Sequence, residues 1–277
     1  MSANAAPIRW MHVPKTGTSF QLALVAWGCS REAFKSLAST SSLAFDFQSP
    51  MCSGSFTANS GGDHHPLSTT DRVTGRVVSL FRAPKTRIAS GYAHDFHDCP
   101  PLRERFNCSD VNKYDCARQP AVVMQRERVV LEYARCVDGC TTRMIMGMPC
   151  GRHDLPFHQA LTKETTERAI AQRIAAENVV SRQFVFLGDT DHWRLSICQF
   201  VSIYKPLHHE AGYDIPKLFH NIRATRSKDL EMHARTVLDR VRWNDTDVPL
   251  YRKAVARMTQ INAMLVNNSE YHTCLAS

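Results

Sequence analysis

Ile8-Arg-Trp-Met-His-Val13 runs directly into Pro14-Lys-Thr-Gly-Thr-Ser19, and Phe20, Leu24 and Trp27 follow at i, i+4 and i+7 before Gly28. A short apolar run, a glycine-containing turn and a helical stripe in that order read as strand, turn and helix. This is the layout of a phosphate-binding loop. Gly17 allows close backbone approach to a ligand and a positive φ. The N–H groups of Thr16, Gly17, Thr18 and Ser19 are then expected to face an anion at the helix N-terminus, with Lys15 adding positive charge. The G-x-x-x-x-G-K-[ST] spacing of a Walker loop is absent. The plain alternative is a capped turn with a surface lysine.

Two further strand–helix units lie downstream. Arg76 to Phe81 (RVVSLF) reads as a buried strand, and Pro84 at the first helical position opens a helix carrying Ile88, Tyr92 and Phe96 on one face. Phe184 to Leu187 is another buried strand. Asp189 or Asp191 caps the next helix, on which Trp193, Ile197, Phe200, Val201 and Tyr204 share a face. Helices are also expected from Pro120, with Val123, Val130, Leu131, Ala134 and Val137, and over 162–177, with Glu164 and Arg168 as an i,i+4 pair. A last helix runs from about Asp247 with Tyr251, Ala254, Val255, Met258, Ile261 and Leu265 inside. Strands alternating with helices give an α/β class: a P-loop-NTPase-like parallel sheet flanked by helices, in a single domain over 1–277. Two segments fall outside this rhythm, a Ser/Thr/Gly-rich loop region at about 38–72 and a Cys-rich irregular segment at about 98–119.

Composition narrows the class. At 43% hydrophobic and 22% charged the chain has the apolar content of a globular protein, not a disordered one. No apolar run approaches the roughly 18 residues of a membrane span. The N-terminal MSANAAPIRW lacks the basic and apolar regions of a signal peptide, so none is expected. Lysine and arginine outnumber the acidic residues 34 to 26, which favours anionic partners. The basic residues form no block of five, so no nucleic-acid arm is expected.

Ten cysteines, at 29, 52, 99, 108, 116, 136, 140, 150, 198 and 274, permit five disulfides. Asn107-Cys-Ser, Asn244-Asp-Thr and Asn267-Asn-Ser are glycosylation-type triplets and lean towards a secretory lumen and a glycoprotein. Cys136, Cys140, Cys150 and His153 are a possible zinc set, but the CxxC spacing is missing and disulfides or buried thiols are the preferred reading.

The candidate chemistry lies at the carboxyl ends of the strands, where parallel α/β sheets bind ligands. Besides the Lys15 turn, Arg82 at a strand end suits bidentate contact with a phosphate, and Ser90, two helical turns on, adds a hydroxyl donor. Each alone is ordinary; together they define two anion sites on neighbouring strand ends.

These residues carry a resemblance. His12-Val-Pro-Lys-Thr-Gly-Thr-Ser-Phe20 resembles the 5′-phosphosulfate loop of sulfotransferases that use 3′-phosphoadenosine 5′-phosphosulfate (PAPS). Leu80-Phe-Arg-Ala-Pro-Lys-Thr-Arg-Ile-Ala-Ser-Gly-Tyr92 resembles their 3′-phosphate motif, R-x-P-x-x-R-x-x-S-x-Y. Phe184 to Cys198 is similar to the F-V-G-L-T-E-x-W-x-L-S-x-C segment of Golgi-type carbohydrate sulfotransferases, and Asn221-Ile-Arg-Ala-Thr-Arg-Ser-Lys228 to their late cofactor-covering loop. The first loop is one residue shorter than their P-K-T-G-G-T-S and has the length of the P-K-S-G-T-T of cytosolic and N-sulfating relatives.

The resemblance implies PAPS as cofactor, no metal requirement, and transfer of a sulfuryl group to a hydroxyl, most readily on a carbohydrate such as an anionic glycan. It implies that Arg82 and Ser90 grip the 3′-phosphate, that Lys15 neutralises the leaving group, and that Thr225 and Lys228 close over the nucleotide. It also places the general base in Gly62-Asp-His-His-Pro-Leu67: His64, with His65 as second choice or substrate contact. A neutral imidazole is suited to take the acceptor proton. A Golgi or secretory lumen follows from resemblance and cysteine content, with the cytoplasm as the alternative because no signal or anchor is visible. Competing readings are a kinase or nucleotide hydrolase with Asp189 as its carboxylate, a non-catalytic glycan binder, and a sulfotransferase for small hydroxylated metabolites or tyrosyl peptides.

Overall fold

The structure is a computed structural model, and it describes residues 8–16, 56–57, 64–75, 77–108, 116–151, 167–204 and 227–276. In chain order its elements are β1 (Ile8–Met11), β2 (Phe56–Thr57), α1 (Asp71–Thr74), β3 (Val77–Phe81), α2 (Pro84–Tyr92), α3 (Pro100–Arg105), α4 (Pro120–Val123), α5 (Arg126–Cys136), α6 (Cys140–Ile145), α7 (Glu167–Gln183), β4 (Phe184–Asp189), α8 (Trp193–Tyr204), α9 (Lys228–Arg240), α10 (Val248–Leu265) and α11 (Ser269–Ala276). The class is mixed α/β, mostly helical, around a small parallel sheet.

Three strands form the body of the sheet and the two-residue β2 extends its edge, in the order β2-β1-β3-β4. All pairings are parallel; Arg9, Trp10 and Met11 lie opposite Val77, Val78 and Ser79. Every residue of β3 is buried, as expected of a strand covered on both faces. Phe186 of β4 packs edge-on against Phe200 of α8, and Phe184 against Phe81 of β3. Gly188 is wedged between β3 and α8: a Cβ there would sit 2.4 Å from Leu80 Cδ2 and 2.9 Å from Ser196 Cβ. One core gathers Met11, Phe81, Leu187, Val180, Ala254 and Met258 between the sheet, α7 and α10. A second joins α2, α5 and α9 through Ile88, Phe96, Val130, Ala134, Leu230 and Val237.

Several boundaries differ from the sequence reading. The β1 strand stops at Met11, because Val13 to Thr16 form a turn. The 38–72 region contains β2 and the start of α1. The 98–119 segment is less irregular than expected, since Pro100 and Pro101 open α3 and a 3-10 turn spans Cys116–Arg118. The helix from Pro120 is two helices, broken at Met124 and Gln125; Val123 is exposed while Val130 and Ala134 are buried. Phe96 lies beyond the end of α2 but still packs into the same core. The whole of α9 goes unpredicted. The stripe of Phe20, Leu24 and Trp27, the Glu164–Arg168 pair, Cys29 and Cys52 lie outside the described residues.

Disulfides join Cys99 to Cys136, Cys108 to Cys116, Cys140 to Cys150 and Cys198 to Cys274, and no cysteine among the described residues is free. Cys136 and Cys140 therefore belong to different bridges, which removes the zinc set considered from their spacing. Among the described residues no helix is long and apolar enough to cross a membrane.

Candidate functional site

The strand order itself marks a place. The chain passes from β1 to β2 on one side and then to β3 on the other, so the connections diverge between β1 and β3. In open parallel sheets the crevice at such a switch, beyond the carboxyl ends of the strands, is where ligands bind. Lys15 follows β1, Arg82 follows β3, and the Arg82 guanidinium donates a 3.2 Å hydrogen bond to the Lys15 carbonyl. The two expected anion segments are thus in direct contact.

The turn after β1 is built by Pro14 and Lys15. Pro14 occupies the second position, Lys15 takes φ 62°, and the Thr16 N–H closes the turn on the Val13 carbonyl at 3.3 Å. Proline followed by a residue of positive φ is the signature of a type II turn, and a lysine there is uncommon. The Thr16 hydroxyl also donates to Val13, at 2.6 Å. Both donors of Thr16 therefore serve the turn, not a ligand as the sequence reading expects. Gly17, Thr18 and Ser19 lie outside the described residues.

Arg82 is partly buried and makes a 3.1 Å ion pair with Glu231 of α9, which Arg235 also contacts at 2.5 Å. Burial lowers the Arg82 pKa from its ordinary value, opposed by the Glu231 charge. Ser90 is buried on α2. The second arginine of the motif, Arg87, is spent structurally: it is 3% exposed, donates to the Val137 carbonyl, and lies 3.7 Å from both Asp245 and Asp247. Tyr92 is a core residue packed on Phe96 and Tyr133, and burial pushes its hydroxyl up to about 12. Lys228 is the exposed first residue of α9, one turn before Glu231; Thr225 lies outside the described residues.

His64 joins this edge. Its ring meets His12, the residue after β1, at 4.7 Å, and meets His97 at 4.7 Å on another side. His64 Nδ1 is 3.0 Å from Asp98 Oδ2. A carboxylate this close to Nδ1 favours the tautomer with its proton there, which leaves Nε2 as the lone-pair acceptor. His65 is half-buried beside it. His97 is held neutral: burial lowers its pKa to about 3 despite the adjacent Asp98 carboxylate, and the charge of Lys15 pushes in the same direction.

The segment carrying His97 and Asp98 is tightly built. Asp95, Phe96 and Asp98 have φ of 56°, 55° and 59°, conformations that cost energy for residues with side chains. The Gly91 carbonyl accepts from both the His94 and His97 N–H groups, and the Tyr133 hydroxyl donates to the His97 carbonyl at 2.8 Å. Cys99, the next residue, is bridged to α5.

The sequence reading misses His97, Asp98 and Glu231. For Glu231 a signal existed, since Leu230, Ala234, Val237 and Leu238 have helical spacing. Asp189, the carboxylate of the kinase reading, is buried and accepts from the Asp191 N–H and the Tyr251 hydroxyl while pairing with His192. No family model, no curated protein and no solved structure matches the chain.

Proposed function

We propose that the chain is a PAPS-dependent sulfotransferase acting on a hydroxyl, on a P-loop-like single-domain fold. The observation that carries this reading is the Arg82–Lys15 contact across the switch point between β1 and β3. Two segments that are distant in sequence meet beyond the carboxyl ends of β1 and β3, and the His64 imidazole lies against His12 at the same edge. The residue motifs resembling those of PAPS enzymes supply the choice of cofactor. A PAPS molecule would lay its 5′-phosphosulfate at the Lys15 turn and its 3′-phosphate at Arg82 and Ser90. There Arg82 exchanges part of its pairing with Glu231 for the phosphate.

In the transfer the acceptor oxygen attacks sulfur in line. The bond from sulfur to the bridging phosphate oxygen breaks, and its electron pair leaves with that oxygen. The acceptor proton passes to His64 Nε2, giving a sulfate ester and 3′-phosphoadenosine 5′-phosphate (PAP). Such a loose displacement asks the protein for positioning and charge neutralisation. Lys15 meets the growing charge, and Asp98 balances the imidazolium formed on His64. The basic balance of the chain favours an anionic glycan as acceptor. Four disulfides and the glycosylation-type triplets favour a secretory lumen. The kinase reading is weakened because Asp189 is engaged in structural bonds.

The test is thermal unfolding with PAP. Saturating PAP, at about 100 times its Kd, adds about 2.7 kcal/mol. That raises the Tm of the wild type, and Lys15→Ala and Arg82→Ala abolish the rise. An unchanged wild-type Tm at millimolar PAP refutes the cofactor. Transfer of labelled sulfate from PAPS to glycans, small alcohols or peptides then identifies the acceptor class.

A further inference from the structure

Asp98 does more than face His64. Its Oδ2 lies 3.0 Å from His64 Nδ1 and 3.6 Å from His97 Nε2, so two imidazoles converge on one carboxylate oxygen. Orienting a single base needs only one of them. The three atoms lie within 4.8 Å of one another and come from partly buried side chains. A tetrahedral zinc ion with bonds near 2.0–2.1 Å separates its ligand atoms by about 3.3 Å. The two measured separations bracket that value.

We propose that His64, His97 and Asp98 form a site for a transition-metal dication of the zinc class, with two nitrogens and one carboxylate oxygen as ligands and water in the fourth position. Nitrogen donors select such ions over magnesium or calcium. The site is organised in advance: the His97 backbone is held at its N–H by Gly91 and at its carbonyl by Tyr133, and Cys99 anchors the end of the segment. Little rearrangement is needed to close three ligands on an ion.

The consequence for chemistry follows from the histidine. A metal on His64 Nδ1 occupies the lone pair of that nitrogen, and the neutral ring then carries its proton on Nε2. That nitrogen can no longer accept a proton from an acceptor hydroxyl. Zinc binding and the base role of His64 exclude each other, so the ion is a reversible inhibitor; this clause alone rests on the sulfotransferase reading.

Isothermal titration of the full, disulfide-intact chain with Zn²⁺ alone tests the site. One equivalent is expected to bind to the wild type. His97→Gln and Asp98→Asn each weaken it about tenfold or more, and asparagine tolerates the positive φ at position 98. Cooperative thermal unfolding of the same two variants, followed by circular dichroism without metal, reports that they are folded. No saturable zinc binding to the wild type, or equal affinity in both variants, overturns the site. Inhibition of sulfate transfer by Zn²⁺, reversed by EDTA, is expected in addition. If zinc binds as described but no transfer is found with any acceptor, the functional reading fails while the metal site stands; transfer without zinc binding has the converse meaning.

Discussion

Gly91→Ala probes how the core of the α2–α5 pair holds the loop that carries His97 and Asp98. A Cβ at position 91 would lie 2.0 Å from Tyr133 Oη and 3.0 Å from its Cζ, and Tyr133 is 2% exposed. The ring is packed against Tyr92 and Phe96, so it moves only by displacing them. Overpacking of this kind costs about 1–3 kcal/mol. Displacing the hydroxyl also breaks its bond to the His97 carbonyl, about 1 kcal/mol more. Better helix propensity of alanine returns up to about 1 kcal/mol. The net loss is about 1–3 kcal/mol, or a Tm drop of roughly 2–12 °C for a chain of this size. Thermal unfolding followed by circular dichroism measures it. Because the tightest contact is with the hydroxyl, Tyr133→Phe is expected to cost about 1 kcal/mol or more in the wild type and to be neutral or stabilising in Gly91→Ala. Additivity of the two changes to within about 0.5 kcal/mol would refute the packing argument, as would an unchanged Tm in Gly91→Ala.

Two further outcomes are expected. Burial, reinforced by Asp247 and Asp138 and opposed by Arg87, raises the Asp245 carboxyl from 3.8 to about 7. A raised carboxyl contributes stability that is full below its unfolded value and lost as pH climbs through the folded one. Denaturant unfolding between pH 4 and pH 8 should therefore show Asp245→Asn gaining on the wild type as pH rises; a constant difference would contradict this. Cys99→Ala with Cys136→Ala removes the bridge that anchors the residue after Asp98 and is expected to cost about 2–5 kcal/mol. Its effect should fall on the His97 segment, read as faster amide exchange at residues 94–98; exchange unchanged there would show that the bridge does not hold the loop.

Legibility in the sequence followed the range of the interactions. Pro84 opening α2 was readable because proline fixes its own φ and needs no N–H partner at a helix start. The β3 and β4 strands were readable because each is a short, largely apolar run, fully buried in β3 and buried except at Val185 in β4. Asp189 was readable as a capping residue because its partner, the Asp191 N–H, is two residues away, although what it caps is a 3-10 turn at Thr190–His192 ahead of α8. That both Thr16 donors close on the Val13 carbonyl was not readable, because competition between a ligand and a turn carbonyl is not visible in residue type. Arg87, the second arginine of the motif, is the counter-charge of a buried carboxylate cluster, and its partners Asp245 and Asp247 are too far along the chain to be read from it.

By itself the sequence determined the local units: an apolar strand, a Pro–Lys turn, a proline-started helix, and the charged and imidazole groups attached to them. Those depend on backbone preference and hydrophobic spacing within a few residues. Which of these groups meet was decided by tertiary structure alone. Arg82 reaches Glu231 across 149 positions and the Lys15 carbonyl across 67. The parallel order of β1 and β3 puts their carboxyl ends side by side, and three left-handed residues turn His97 and Asp98 back onto His64. Such convergence is set by strand order and core packing, which no local window of residues encodes.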